Sequence, residues 1–128
     1  NNYMNIHESG ENYLETILKL QKDKGNVRSV DIVNELGYSK SSVSRAVNIL
    51  QDAGLINIDA SSGAITFTDA GIKRAQNIYT KHRILKNFLM QIGVSESAAE
   101  EDACRMEHVI CQETFDAIKK IYKPEKNG

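Results

Sequence analysis

The sequence predicts a mainly α-helical protein that contains one short β-hairpin. Apolar residues recur at helical spacing through most of the chain, and serine or threonine precedes several of these segments, where it can cap a helix. Two short β-like runs follow each other near the middle of the sequence. A chain of 128 residues is long enough for one or two small domains with a modest core.

Three helices are predicted in the first half of the chain. The first has an apolar stripe at Tyr13, Leu14, Ile17, Leu18 and Leu20. The expected N-caps of the three helices are, in order, Ser9, Ser29 and Ser39. The expected glycine ends are Gly25, Gly37 and Gly54.

The second and third helices are joined by residues 37–40, which is the spacing of a helix-turn-helix. The β-like runs at 55–58 and 64–67 follow directly, with the polar, turn-forming residues 59–63 between them. Three helices followed by a hairpin predict a winged helix-turn-helix.

Only helices are expected after the hairpin. Thr68 can cap a long fourth helix, Gly93 should end it, and Ser95 can start a fifth. A final amphipathic segment has its apolar residues at Phe115, Ile118, Ile121 and Tyr122. We therefore expect a winged helix-turn-helix domain over residues 4–72 and an all-helical domain over residues 73–123.

The net charge of −1 conceals an asymmetry along the chain. Residues 22–50 contain five basic groups and three acidic ones, whereas residues 95–113 contain six acidic groups and a single arginine. The first segment can face phosphates, and the second can attract cations. Two cysteines without a disulfide-framework spacing, and no signal-peptide or membrane-spanning pattern, predict a cytoplasmic protein.

The third predicted helix carries the case for DNA binding. Its polar face consists of short hydroxyls that reach phosphates and an arginine that can pair with guanine. The candidate DNA contacts are Ser39, Lys40, Ser41, Ser42, Ser44 and Arg45. By itself, a serine-rich helix start is as typical of a simple cap with a solvated face as of a DNA contact. The wing that follows favours the DNA interpretation.

Cys104, Glu107 and His108 occupy positions i, i+3 and i+4 of the fifth predicted helix, so their side chains share one face. Sulfur, oxygen and nitrogen ligands together suit a divalent transition metal better than calcium or magnesium. Each residue alone has a plainer interpretation: a small core side chain, a solvated acid and a structural histidine. Their combination on one face favours a metal site.

Three ligands on one helix do not complete a site, so at least one more ligand is expected from elsewhere. Asn12 and Glu15 stand three residues apart on the first helix and could supply it. His82 lies on the apolar stripe of the fourth helix, which alone favours a core position. Cys111 is expected to pack in the interior.

The motif Asp102-Ala103-Cys104-Arg105-Met106-Glu107-His108-Val109, with Lys81-His82-Arg83 before it and Ser42-Val43-Ser44 in the third helix, resembles the diphtheria toxin repressor family. These proteins are metal-dependent (iron or manganese) transcriptional regulators. The resemblance covers about residues 10–122. It implies a homodimer whose second domain is an all-helical dimerisation domain and whose two winged helices enter successive major grooves of a palindromic operator.

The resemblance also implies a ligand set and a mechanism. The positions that match the family's metal ligands are Asn12, Glu15, His82, Cys104, Glu107 and His108. Metal would link the first helix to the dimerisation helices and activate repression. Asn12 departs from both branches of the family, and Lys86 and Glu100 replace the Glu and His of the iron branch's ancillary site.

Among the ions, the thiol of Cys104 favours Fe(II), with Mn(II) as the alternative; Zn(II), Co(II) and Ni(II) could bind in vitro. The expected partners are double-stranded operator DNA and a second copy of the chain, with neither a membrane nor a small organic substrate. Two other interpretations remain open. One is a winged-helix protein with a purely structural zinc site. The other is a small metallohydrolase with Glu107 as general base, which the absence of a His-Glu-x-x-His motif disfavours. We expect a regulator that is not an enzyme.

Overall fold

A computed structural model describes residues 6–122, with side chains described from residue 10 onward. Its helices and strands are α1 (Ile6–Lys24), α2 (Ser29–Leu36), α3 (Lys40–Asp52), β1 (Ile56–Ile58), β2 (Ile65–Phe67), α4 (Asp69–Gln91), α5 (Glu96–Val109) and α6 (Gln112–Ile121). The predicted mainly helical fold with a winged helix-turn-helix is confirmed. The expected outer domain limits, residues 4 and 123, lie outside the described residues.

The chain divides into two compact units, the first ending at Asn77 and the second beginning at Ile78. The division falls inside α4, so this helix contributes residues to both units. The expected boundary between residues 72 and 73 remains a prediction.

The first unit is built around the packing of α1, α2 and α3. Each of these helices buries one apolar face, with Ile17, Ile32 and Val43 completely inaccessible to solvent. Glycines end two of these helices: Gly25 follows α1 and Gly37 follows α2, with φ angles of +88° and +72° that glycine adopts without steric cost. The core therefore holds α3 with its other face exposed.

The wing is a two-stranded antiparallel hairpin in which Ile56 pairs with Phe67 and Ile58 with Ile65. The N–H of Ile65 also donates to the carbonyl of Val27, 2.8 Å away, which ties the hairpin to the segment before α2. At the tip, the Asp59 carboxylate accepts hydrogen bonds from the backbone N–H and hydroxyl of Ser62. These bonds lower the pKa of Asp59 and close the predicted turn.

Gly71, in the first turn of α4, lies against Leu55 in the connection between α3 and β1. A Cβ atom at this position would lie 1.8 Å from the carbonyl oxygen of Leu55. The approach is backbone to backbone, so a flexible side chain cannot relieve it. The hydroxyl of Thr68 accepts from the N–H of Gly71 at 3.0 Å, as expected of an N-cap.

The second unit contains the rest of α4 together with α5 and α6. Its core is a cluster of buried side chains, Leu85, Ala103 and Phe115, with Ile84, Met106, Ile110 and Ile118 packed against it. Ser95 caps α5 by accepting a hydrogen bond from the N–H of Ala98 at 3.3 Å, as predicted. The cluster holds α4 and α5 side by side, which positions their polar residues.

Three sequence expectations are wrong. The helix α1 begins at Ile6, before Ser9, because a good capping residue does not by itself stop a helix that can extend. The N-cap of α2 is Arg28, whose N–H donates to the Asp31 carboxylate at 2.8 Å, so Ser29 is the first helical residue. Cys111 is exposed at the start of α6, with Sγ 3.5 Å from the hydroxyl of Thr114.

Among the described residues, none of the helices combines the length and the apolar character needed to span a membrane.

Candidate metal centre and nucleic-acid interface

The second unit brings a buried histidine and a buried glutamate together. His82 on α4 and Glu107 on α5 have side chains that are 6% and 0% exposed. The Nδ1 atom of His82 lies 2.6 Å from Oε1 of Glu107. The helical spacing of α4 turns His82 toward the interior beside Leu85, and α5 presents Glu107 to it. His82 therefore lies in the core, as its position on the apolar stripe predicts, and also contacts the carboxylate of Glu107.

His108 adds a second imidazole to this group. Its side chain is 6% exposed, and its Nε2 atom lies 3.5 Å from Oε2 of Glu107. The ammonium of Lys81 donates to the main-chain carbonyl of Glu107 at 3.3 Å, at the end of α5. Three of the six expected ligands, His82, Glu107 and His108, are therefore gathered in one buried polar cluster of the second unit.

Cys104 precedes Glu107 by one turn of α5 and is half-buried. Its position on the helix faces the same side as Glu107 and His108, as the i, i+3, i+4 spacing requires. Cys104 therefore lies on the same side of α5 as Glu107 and His108.

Glu100 and Lys86 extend the cluster along α4 and α5. One carboxylate oxygen of Glu100 lies 2.8 Å from Nε2 of His82, and the other lies 3.1 Å from the ammonium of Lys86. Burial opposes ionisation of Glu100, but the hydrogen bonds from Lys86 and His82 outweigh it and lower the pKa of this carboxyl. The sequence marked these two positions only as departures from a family pattern.

The donor set of the second unit fits a divalent first-row metal. Two imidazoles and a carboxylate are the ligands that zinc, iron and manganese share, and a thiol stands one helical turn away. Burying a carboxylate is costly unless it is hydrogen-bonded or paired with a cation. The buried Glu107 between two histidines satisfies that requirement and could hold a metal.

Asn12 and Glu15, the other two expected ligands, belong to α1 in the first unit. Glu15 is buried, with Oε2 3.6 Å from the ammonium of Lys19 one turn later. Asn12 is half-buried, and its main-chain carbonyl accepts a hydrogen bond from the hydroxyl of Thr16 at 2.9 Å. Both side chains have an oxygen atom that can bind a metal ion, and the two residues lie three positions apart on α1. Their part in binding metal remains a prediction.

The expected DNA-binding face of the first unit is exposed to solvent. All six candidate contacts are exposed: Ser39, Lys40, Ser41, Ser42, Ser44 and Arg45. The opposite face of α3 buries Val43, Val47 and Leu50, so the helix is anchored on one side and open on the other. Beside it, a shallow depression is lined by Tyr13, Tyr38, Ala46 and Ile49 together with three of these six residues, Ser39, Ser42 and Arg45.

The hydroxyls at the start of α3 are ordered by one another. The N–H of Ser42 donates to the hydroxyl of Ser39 at 3.1 Å, which confirms the predicted cap. The Ser39 hydroxyl lies 2.9 Å from that of Ser42 and 3.2 Å from that of Ser41. Hydroxyls and unpaired amides at a helix N-terminus form a setting that favours phosphate oxygens.

Two protein-family models match the chain, one over its N-terminal part and one over its C-terminal part. The N-terminal DNA-binding domain of iron-dependent repressors matches residues 5–64. The metal-binding and dimerisation domain of iron-dependent repressors matches residues 68–126. Together the two matches cover nearly all of the sequence.

Named relatives include the transcriptional regulator MntR of Escherichia coli, which is 37% identical over 109 residues, 85% of this chain and 70% of that protein. An uncharacterised HTH-type transcriptional regulator of Methanocaldococcus jannaschii is 32% identical over 116 residues, 89% of this chain and 92% of that protein. The level of identity and the coverage are those of members of one family.

Solved structures of metal-dependent transcriptional regulators are also similar to this chain. A manganese-dependent transcriptional repressor in complex with manganese superposes with a TM-score of 0.78 at 25% identity, covering 88% of this chain and 51% of that chain. The manganese regulator SloR has a TM-score of 0.76 at 25% identity, covering 88% of this chain and 52% of that one. The present chain thus spans about half the length of these solved chains.

These comparisons do not support the expected preference for Fe(II), because both solved relatives are described as manganese regulators. The thiol argument rested on one residue, Cys104, whereas metal choice depends on the complete ligand set. The metal-binding domain, the helix-turn-helix and the named relatives nevertheless agree on one assignment. The chain belongs to the iron-dependent repressor family of metal-dependent transcriptional regulators.

Proposed function

We propose that this protein is a metal-activated transcriptional repressor that binds a palindromic DNA operator as a homodimer and controls metal-ion homeostasis genes. The observation that carries the proposal is the buried cluster of His82, Glu107 and His108 in the unit that matches the family's metal-binding domain. The exposed polar face of α3, in the unit that matches the DNA-binding domain, supplies the second half of the argument.

The metal site would be held by His82, Cys104, Glu107 and His108, with Asn12 and Glu15 as further ligands. A divalent cation supplies positive charge that offsets the ionised carboxylates around it. Glu107 is the central ligand, because its side chain is fully buried and lies within 3.5 Å of both histidines. With Asn12 and Glu15 on α1, the ligand set would include the helix that packs against α2 and α3.

On DNA, Arg45 is proposed to donate to a guanine edge, while the hydroxyls of Ser39, Ser41, Ser42 and Ser44 and the ammonium of Lys40 contact phosphates. Two copies of α3 must lie about one DNA turn apart, roughly 34 Å, to bind successive major grooves together. A ligand that favours the correctly spaced arrangement raises affinity for the operator. By thermodynamic reciprocity, operator DNA must then raise affinity for the metal.

Mn(II) and Fe(II) are the candidate physiological ions. The descriptions of the solved relatives support Mn(II). The thiol of Cys104 supports Fe(II), since thiolate prefers a softer ion than Mn(II). The ligand set is compatible with both.

The test is operator binding measured by fluorescence anisotropy at fixed salt. A palindromic operator would be titrated with protein in chelator, then in Mn(II), then in anaerobic Fe(II) at matched free concentration. We expect tight binding only with metal, and the more effective ion identifies the physiological candidate. In His108→Ala, metal should no longer promote operator binding, although the variant remains folded. Lys120→Ala, at an exposed position, is the control and should bind the operator with metal as the unmodified protein does.

Equal operator binding in chelator and in metal would overturn the switch. If chelation instead unfolds the protein, as measured by circular dichroism, the site has the structural role of a permanent zinc site. The two outcomes are separated by following DNA binding and helix content in the same samples.

A further inference from the structure

We propose that Glu100 and Lys86 are positioning residues that orient the imidazole of His82, so that Nδ1 is the nitrogen presented to the metal. This inference rests on the proposed function, because it assigns a role to two residues beside its metal site. All the residues that carry it belong to the second unit.

The two ring nitrogens of His82 face different carboxylates. Nδ1 lies 2.6 Å from Oε1 of Glu107, whose side chain is fully buried. Nε2 lies 2.8 Å from Oε2 of Glu100, whose side chain is 46% exposed. The ring is therefore held between a carboxylate in the interior and one near the surface.

Only one ring nitrogen can offer a lone pair to an ion while the other donates its proton. A ligating histidine commonly donates its second N–H to a carboxylate, which fixes the tautomer and the orientation of the ring. Glu100 is placed to accept this hydrogen bond from Nε2. Nδ1 then faces Glu107, the buried member of the ligand cluster.

Lys86 holds Glu100 in this role. Its ammonium lies 3.1 Å from Oε1 of Glu100, which leaves Oε2 for His82. The lysine side chain is 26% exposed, and a partly exposed ion pair of this kind adds little to folding stability. Its effect is to restrict the carboxylate to one orientation. The positive charge also disfavours a second cation next to Glu100.

The first measurement is the affinity for Zn(II) alone, a diamagnetic probe that imidazole ligands bind well. Loss of a supporting carboxylate typically weakens metal binding about 10- to 100-fold, and we expect this loss for Glu100→Ala. Glu100→Gln retains an oxygen that can accept from Nε2, so its affinity should fall between those of Glu100→Ala and the unmodified protein. Glu96→Gln is the matched control, because Glu96 is 74% exposed and lies 4.0 Å from the same lysine.

The second measurement identifies the nitrogen that binds. The chain contains three histidines, so the ¹⁵N signals of His82 can be assigned with single substitutions. In the Zn(II)-loaded protein we expect Nδ1 to be metal-bound and Nε2 to carry the proton. Glu100→Ala and Lys86→Met should each shift the Nε2 signal, whereas Glu96→Gln should leave it in place. A merely structural role for Glu100 would leave the Zn(II) affinity of the folded variants unchanged, so the signal and the affinity are read together.

The inference is overturned if Nε2 is the metal-bound nitrogen, or if Glu100→Ala retains full affinity and an unchanged Nε2 signal. If Glu100→Ala fails to fold, Glu100→Gln and Lys86→Met decide the question by the same two measurements. Failure of the proposed function is distinguishable, because it is measured by operator binding of the unmodified protein, which would then be equal in chelator and in metal. In that case the tautomer of His82 in metal-free protein still reports whether Glu100 orients the ring.

Discussion

Nδ1 of His82 and Oε1 of Glu107 lie 2.6 Å apart, although 25 residues separate them along the chain. The contact joins α4 to α5 in the interior of the second unit, where the Glu107 side chain has no exposure to solvent. A charged group in such a place must be compensated by hydrogen bonds or by a cation. This contact is the reason to place the centre of the proposed metal site at Glu107.

Metal should stabilise the folded protein through Glu107. At a free metal concentration of 100 times the dissociation constant, binding to the folded state alone adds about 2.7 kcal/mol to the free energy of unfolding. Glu107→Gln keeps the shape of the side chain but removes the charge, so most of this gain should disappear. Urea unfolding with chelator and with Mn(II) measures it. Glu101→Gln, at an exposed position of the same helix, is the control and should retain the full gain.

Cys104 should govern the choice between ions. Replacing the thiol by a carboxylate in Cys104→Asp removes the soft ligand, so the ratio of affinities should move toward Mn(II) and away from Fe(II) and Zn(II). Competition titrations under anaerobic conditions give this ratio. Cys111→Ser changes an exposed thiol and should leave it unaltered. A ratio that is the same in Cys104→Asp and in the unmodified protein would remove Cys104 from the ligand set.

Arg45 should contribute to operator recognition without affecting the free protein's metal site. A good arginine contact to guanine discriminates by about 1–3 kcal/mol, so Arg45→Ala should weaken operator binding correspondingly. The Zn(II) affinity of the DNA-free variant should equal that of the unmodified protein. Anisotropy and calorimetry test the two statements, with Lys120→Ala as a charge-matched control. A large loss of metal affinity in Arg45→Ala would contradict the separation of the two functions.

Gly71 and Gly10 should respond to alanine with opposite signs. At Gly71 the added Cβ would lie 1.8 Å from the Leu55 carbonyl oxygen, and overpacking of this kind costs about 1–3 kcal/mol or more. At Gly10, inside α1, the nearest atom would be Cδ2 of Leu50 at an ordinary 3.6 Å. Alanine there should stabilise the helix by up to about 1 kcal/mol. Thermal unfolding of the two variants provides the comparison, and a stable Gly71→Ala would disprove the close approach.

Asp31 should make stability depend on acidic pH. Two hydrogen bonds lower the pKa of this carboxyl below its ordinary value of 3.8. The larger effect comes from the ammonium of Lys24 and the smaller from the N–H of Arg28. Such a group contributes stability above its unfolded pKa, and the contribution is lost as the pH falls through the lower, folded pKa. The difference between the unmodified protein and Asp31→Asn should therefore be present at neutral pH and shrink on acidification. Asp23→Asn, an exposed neighbour, is the control for urea unfolding at each pH.

Much of the fold was predictable because its signals are local. Ser39, Thr68 and Ser95 accept the expected capping hydrogen bonds, since a cap involves residues within one helical turn. Local competition also explains the failures: both Arg28 and Ser29 could start α2, and the Arg28–Asp31 pair is the cap that forms. A sequence pattern shows that a cap is available but does not rank two adjacent candidates.

The sequence by itself determined which candidate metal-ligating side chains the protein has and which of them share a helix face. The tertiary structure decided which side chains of different helices lie close together. The positions of Cys104, Glu107 and His108 on one face of α5 follow from helical periodicity alone. The meeting of His82 with Glu107 on one side and Glu100 on the other does not, because it depends on how the buried cluster of Leu85, Ala103 and Phe115 packs α4 against α5. Packing between helices is set by the shapes of many side chains together, so no spacing in the sequence records it.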